Sequence, residues 1–118
     1  MTVDVKIFQG DTWKPRIAVK SVDAFTKMET ALNCTSHTAI LVIKQNYNES
    51  LAVTYTLSVV WISQSGGTGY FTLSNAQSKV ISGKYVYEVK LYKDDKTEMY
   101  TLAQGTLTIA SAIEKDIP

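Results

Sequence analysis

Cys34 and His37, three residues apart, are the one thiol and the one imidazole in the chain. Zinc wants three or four converging ligands, so carboxylates would have to complete any site built on this pair. As a nucleophile, the thiol would need a lowered pKa and the imidazole an orienting partner, and the flanking residues offer neither. The expected arrangement is a half-buried thiol beside a histidine that opens a strand. Carboxylates fall in two local pairs, Asp94/Asp95 and Glu114/Asp116. Glycoside hydrolysis or calcium binding needs such groups to meet in one pocket, whereas a turn pair and a tail pair read as solvated surface. The Asp94-Asp95 turn lacks the spacing of a calcium loop. Gly66-Gly67 and Gly69 have no following lysine and helix, so they form a hairpin loop and not a phosphate cradle. Two sequons, Asn33-Cys34-Thr35 and Asn48-Glu49-Ser50, read as chance matches in a chain without a secretory signal.

Rings are the remaining chemistry, because sugar-binding modules and single-strand binders use exposed aromatics as stacking platforms. Trp13, Tyr47, Trp61, Tyr70, Tyr92 and Tyr100 are the candidates. Trp61 shares the phase of Val53, Tyr55, Leu57 and Val59 and is expected in the core. Tyr47 lies in a polar turn and Tyr92 falls out of phase with its strand, so these two are expected to be exposed. Two separated tyrosines do not make a platform.

The bulk properties narrow the function classes. Twelve basic and eleven acidic residues give a net charge of +1, and the charges are scattered. Proteins that neutralise phosphates concentrate a basic excess on one face, so neither nucleic acid nor an anionic membrane surface is an expected partner. A single cysteine forms no internal disulfide, so stability does not require an oxidising compartment. The charged, alternating first residues do not resemble a signal peptide, and no apolar run is long enough to span a bilayer as a helix. The expectation is a single soluble domain made in a cytoplasm, with 118 residues enough to bury a core.

The elements that must hold these residues are strands. In residues 83–92, Tyr85, Tyr87, Val89 and Leu91 alternate with Glu88 and Lys90, the pattern of a strand with one buried face. A charged turn, Lys93-Asp94-Asp95-Lys96, leads to a returning run at residues 99–102, and Gly105 precedes another short strand at 106–109. Val3, Val5 and Ile7 mark a first strand, followed by a turn at Gln9-Gly10-Asp11-Thr12. Pro15 cannot donate a ladder hydrogen bond, so it is expected at the start or on the edge of the next strand, in which Ile17 and Val19 share a face. Residues 21–35 read as a loop with one short helical turn, since Val22, Phe25 and Met28 share helical spacing. Residues 38–45 carry Leu41 and Ile43 on one face and Ile40 and Val42 on the other, as in a central strand covered on both sides. Residues 51–62 form a long strand with a bulge or sheet switch near Ser58, beyond which Val60 and Ile62 are expected to be buried. Residues 74–83 connect through a single helical turn. The fold expected is an all-β, immunoglobulin-like antiparallel sandwich of seven or eight strands over residues 1–110. A polar tail follows at 111–118.

The order of these features resembles a family. Gly10-Asp11-Thr12-Trp13 after a first strand, then Ile17-Ala18-Val19, is similar to the opening of short tailed-phage virion proteins. Gly69-Tyr70-Phe71-Thr72-Leu73, Gly83-Lys84-Tyr85-Val86-Tyr87-Glu88-Val89 and Gly105-Thr106-Leu107-Thr108-Ile109 resemble their continuation. The amino-terminal domain of phage baseplate upper proteins is the best-known member. The segment before the central strand departs from the pattern, reading Leu32-Asn33-Cys34-Thr35, and with no long extension read after Pro118 a full receptor-binding protein is not expected. The resemblance implies a non-enzymatic virion protein that docks on the capsid, as a decoration or head accessory protein, or on the tail or baseplate. Its partners would be other phage structural proteins, with homo-oligomerisation left open. It implies no catalytic, metal or cofactor residues. A carbohydrate-binding or adhesion module using Tyr47 and Tyr92 is the alternative.

Overall fold

The computed structural model describes residues 4–45 and 53–113. Ten strands and one short helix follow one another: β1 (Val5–Phe8), β2 (Arg16–Ala18), β3 (Lys20–Val22), β4 (Glu29–Ala31), β5 (His37–Lys44), β6 (Tyr55–Ser58), β7 (Val60–Ser63), β8 (Thr68–Tyr70), α1 (Asn75–Ser78), β9 (Gly83–Lys93) and β10 (Met99–Ala110). Five strands form one sheet in the order β1-β10-β9-β5-β6, and three form a second in the order β2-β8-β7. β3 and β4 pair only with each other. The result is the expected all-β, sandwich-like fold. Among the described residues every ladder is antiparallel except that of β1 with β10, where Val5 stands opposite Leu107 and Phe8 opposite Ala110 in parallel.

Alternation on the central strands fills the space between the sheets. Tyr85, Tyr87, Val89 and Leu91 of β9 point inward with Ala39, Leu41 and Ile43 of β5 and Leu107 and Ile109 of β10. Phe71, Leu73, Val19 and Cys34 meet them from the other side, and Trp13 and Trp61 pack against the same cluster. Trp13 sets its ring edge-on to Tyr87, with centroids 5.6 Å apart and planes at 73°, an arrangement that aromatic quadrupoles favour.

Several local expectations hold. Gly10 takes φ 88°, and the Asp11 carboxylate accepts the Phe8 N–H at 3.0 Å, closing the first turn. The long strand breaks at Val59: β6 pairs with β5, β7 pairs with β8, and the chain changes sheets between them. The helical turn forms at α1 behind a capping box, in which Ser74 Oγ accepts the Gln77 N–H and Gln77 Oε1 accepts the Ser74 N–H.

Four readings change. Residues 20–31 form a hairpin, β3 and β4, around a single turn closed by an i→i+4 bond from the Lys27 N–H to the Asp23 carbonyl at 2.9 Å. Ile40 and Val42 are half-buried on the outer face of β5, where no second layer covers them among the described residues. Val60 and Ile62 are exposed, at 48% and 58%. The two short strands expected on either side of Gly105 are one, β10, with an irregularity between Thr101 and Ala103. Val3, Tyr47, the sequon at Asn48, Glu114 and Asp116 lie outside the described residues.

Candidate functional site

The residues with the most reactive chemistry are used as scaffold. Cys34 is fully buried, and its thiol faces the Leu32 carbonyl oxygen at 3.6 Å. Burial pushes its pKa up, the opposite of what a nucleophile needs. The Cys34 carbonyl accepts the His37 N–H at 2.9 Å and the Gln64 side-chain N–H at 2.9 Å. The pair therefore brackets a turn that Gln64 ties to the second sheet. His37 Nδ1 is buried without a hydrogen-bond partner. Asp94 accepts the Thr38 hydroxyl at 2.7 Å, while Asp95 accepts the Thr97 hydroxyl at 2.6 Å and its N–H at 3.1 Å. The Thr97 hydroxyl, and then its N–H, hold the Asp95 carboxyl below its ordinary range. Asp95 is thereby committed to its own loop, and Asp94 to Thr38 on β5. Among the described residues no three His, Cys, Asp or Glu side chains gather as a metal site would require. Asn33 turns its carboxamide back onto Thr35, so the first sequon is an Asx turn.

Among the described residues the rings do not form a platform either. Tyr92 is half-buried on the outer face of the five-stranded sheet, opposite Thr38 and Met99, and is less exposed than expected. Tyr70 is half-buried beneath the Lys14 ammonium, 5.8 Å from its centroid. Tyr100, at 50%, and Phe25, at 96%, are the more exposed rings, and Phe25 was not among the aromatic candidates.

Phe25 belongs to the most distinctive surface feature, an arm of residues 20–31 made of β3, a turn and β4. All twelve of its residues are exposed. The Asp23 carboxylate accepts the N–H groups of Phe25 at 2.8 Å and Thr26 at 3.0 Å. These bonds, Thr26 first, hold its pKa below the ordinary value. Two backbone bonds between Asp23 and the returning Lys27 and Met28 close the turn, and Lys27 takes φ 62°. A salt bridge between Lys20 and Glu29, 3.5 Å long and exposed, spans the two strands. An isolated two-stranded hairpin is marginal in water, so this one depends on its root. There the Val19 N–H donates to the Gly67 carbonyl at 2.8 Å, and the Leu32 N–H to the Val19 carbonyl at 3.0 Å.

The arm therefore presents Val22, Phe25 and Met28, at 58%, 96% and 67% exposure, on a turn fixed by side-chain caps. Beside its root lies an open groove of about 530 Å3, lined by Val19, Leu32, Leu91, Leu102, Tyr100 and His37 among others. Lys93 and Glu98, an ion pair 3.4 Å long, line it as well. An apolar, preformed projection next to an apolar recess is suited to protein contact.

Compared with known proteins, the chain matches no family model and no curated protein.

Proposed function

We propose that this chain is a non-enzymatic structural protein of a tailed-phage virion, docking through the 20–31 arm onto other phage structural proteins of the capsid or of the tail and baseplate. The observation that carries the docking role is the arm itself. Three large apolar side chains stand in water on a capped turn, a placement that monomeric folding does not reward. Burying each one fully against a partner is worth about 1.5–3 kcal/mol before the costs of association. Repetition of that contact around a symmetric particle multiplies a modest single-site affinity. The phage setting rests on the resemblance carried by Gly10-Asp11-Thr12, the strand from Gly83 and the strand from Gly105.

The test is mass spectrometry on purified particles of a phage that encodes the chain, with wild type compared against a Phe25→Ser/Met28→Ser variant. The chain is expected in wild-type particles and strongly depleted in the variant, with the variant's thermal melt unchanged. Absence from wild-type particles refutes the virion role. Equal incorporation of the variant refutes the arm.

A further inference from the structure

The two sheets have four edges, and they are not treated alike. The β1 edge carries the exposed Asp4 and Lys6, with the Lys6 ammonium 5.4 Å from the Phe8 ring centroid. Lys14 and Arg16, both exposed, flank Pro15 at the β2 edge. Charges and proline are the usual means by which a free edge is kept from pairing with another chain. The remaining two edges, β6 and β7, are one continuous stretch, residues 55–63, on one side of the sandwich. They have no such protection. From residue 50 to residue 78 the sequence holds no charged side chain at all. Among the described residues, no strand pairs with the outer side of either β6 or β7.

The side chains on this edge add to the contrast. Val60 and Ile62 continue an apolar pattern that belongs in an interior, yet both stand exposed. The ladder to β8 passes from Trp61 opposite Gly69 to Ser63 opposite Thr68, leaving Ile62 in a bulge. That bulge twists the strand but puts no charge on it.

We infer that the β7 edge pairs with the same edge of a second copy, antiparallel about a two-fold axis beside Trp61. The three-stranded sheets of the two copies then join into one sheet of six. With the axis at Trp61, Val60 of each copy faces Ile62 of the other, a cross-strand apolar pair of the kind that stabilises sheets. A two-fold contact requires a self-complementary surface, and an uncharged edge meets that requirement without repulsion. The β1 and β2 edges would each bring lysine or arginine against its own copy. The pairing strand, Val60–Ser63, extends about 13 Å at roughly 3.3 Å per residue. A ladder that short makes a small contact, below about 1,200 Å2 in total, and predicts a dimer that dissociates at micromolar concentrations.

This inference does not depend on the arm or on the phage setting. Sedimentation velocity on the purified chain from about 1 to 500 µM should show monomer converting to dimer. Val60→Lys, which sets a charge against the partner's edge, should raise the dissociation constant at least tenfold. Phe25→Ser should leave it unchanged. Hydrogen exchange on the wild-type chain at the two ends of that range provides a readout without mutation: amides of residues 60–63 should gain protection with concentration, and those of residues 16–18 should not. A monomer at 500 µM overturns the proposal, as does a dimer that Val60→Lys leaves intact or one whose protection appears elsewhere.

Discussion

Gly67 lies so close beneath Leu32 that a β-carbon at position 67 would stand 2.7 Å from the Leu32 carbonyl oxygen. The same atom would stand 2.8 Å from the Val19 carbonyl oxygen, and Gly67 has φ +71°. One glycine thus sits against both chain segments that lead into and out of the arm.

Replacing Gly67 with alanine should therefore strain the arm at its root. The left-handed backbone alone costs a non-glycine residue about 1–2 kcal/mol, and two sub-contact approaches to backbone oxygens add to it. Thermal unfolding should show the melting temperature falling by roughly 8 °C or more. Gly83 also has positive φ but has nothing within 4 Å of its would-be β-carbon, so Gly83→Ala should cost less. Equal effects at the two sites would show that close approach at Gly67 does not matter.

Ser78 should matter more than its place in a four-residue helix suggests. It is fully buried. Its hydroxyl donates to the Asp11 carbonyl at 2.7 Å and accepts the Gly10 N–H at 3.1 Å. Gln9 reinforces the junction by donating to the Ile81 carbonyl at 3.1 Å. Ser78→Ala removes the partner of two backbone groups and should cost about 1–3 kcal/mol, read as a shifted urea midpoint with an unchanged slope. Ser63→Ala is the exposed comparison, and a loss at Ser78 no larger than there would contradict the assignment.

The arm's turn should loosen in acid. Asp23 has its folded-state pKa below the ordinary 3.8, so the carboxylate binds its proton less readily in the folded turn than in the unfolded chain. The stabilisation is then complete above 3.8 and disappears as pH falls through the lower, folded value. Amide shifts of Phe25 and Thr26, followed by NMR, should titrate together with a midpoint below 3.8. Asp23→Asn should abolish that titration. A midpoint at or above 3.8 would mean that the carboxylate is not held by these amides.

Much of the fold was legible because alternation is a local signal. The inward row of Tyr85, Tyr87, Val89 and Leu91 can be read directly from residue order, and so can the change of phase near Ser58. The arm was not legible, because Val22, Phe25 and Met28 are spaced as a helix would space them. What decides against a helix is the Asp23 cap together with the contact of Gly67 with Val19 and Leu32, which are 48 and 35 residues away in the chain. Exposure at Val60 and Ile62 escaped for a different reason. Periodicity assigns a residue to a face of a strand, but it does not say whether anything lies over that face. The parallel β1–β10 ladder and the Ser78 junction are long-range pairings, and neither Val5 nor Ser78 carries a mark of its partner. The candidate site was less legible than the fold, since its chief residue, Phe25, lay in the stretch read as a loop.

The parallel ladder between the first and last strands has a mechanical consequence. Tension applied through the two ends of the chain would draw β1 backward and β10 forward along a shared line. The bonds opposite Val5 through Phe8, with the Asp4–Thr106 contact at 2.8 Å beside them, would be sheared side by side and not peeled one at a time. An antiparallel pair at the same position would unzip. A domain closed in this way resists being pulled lengthwise far better than its thermal stability alone would indicate.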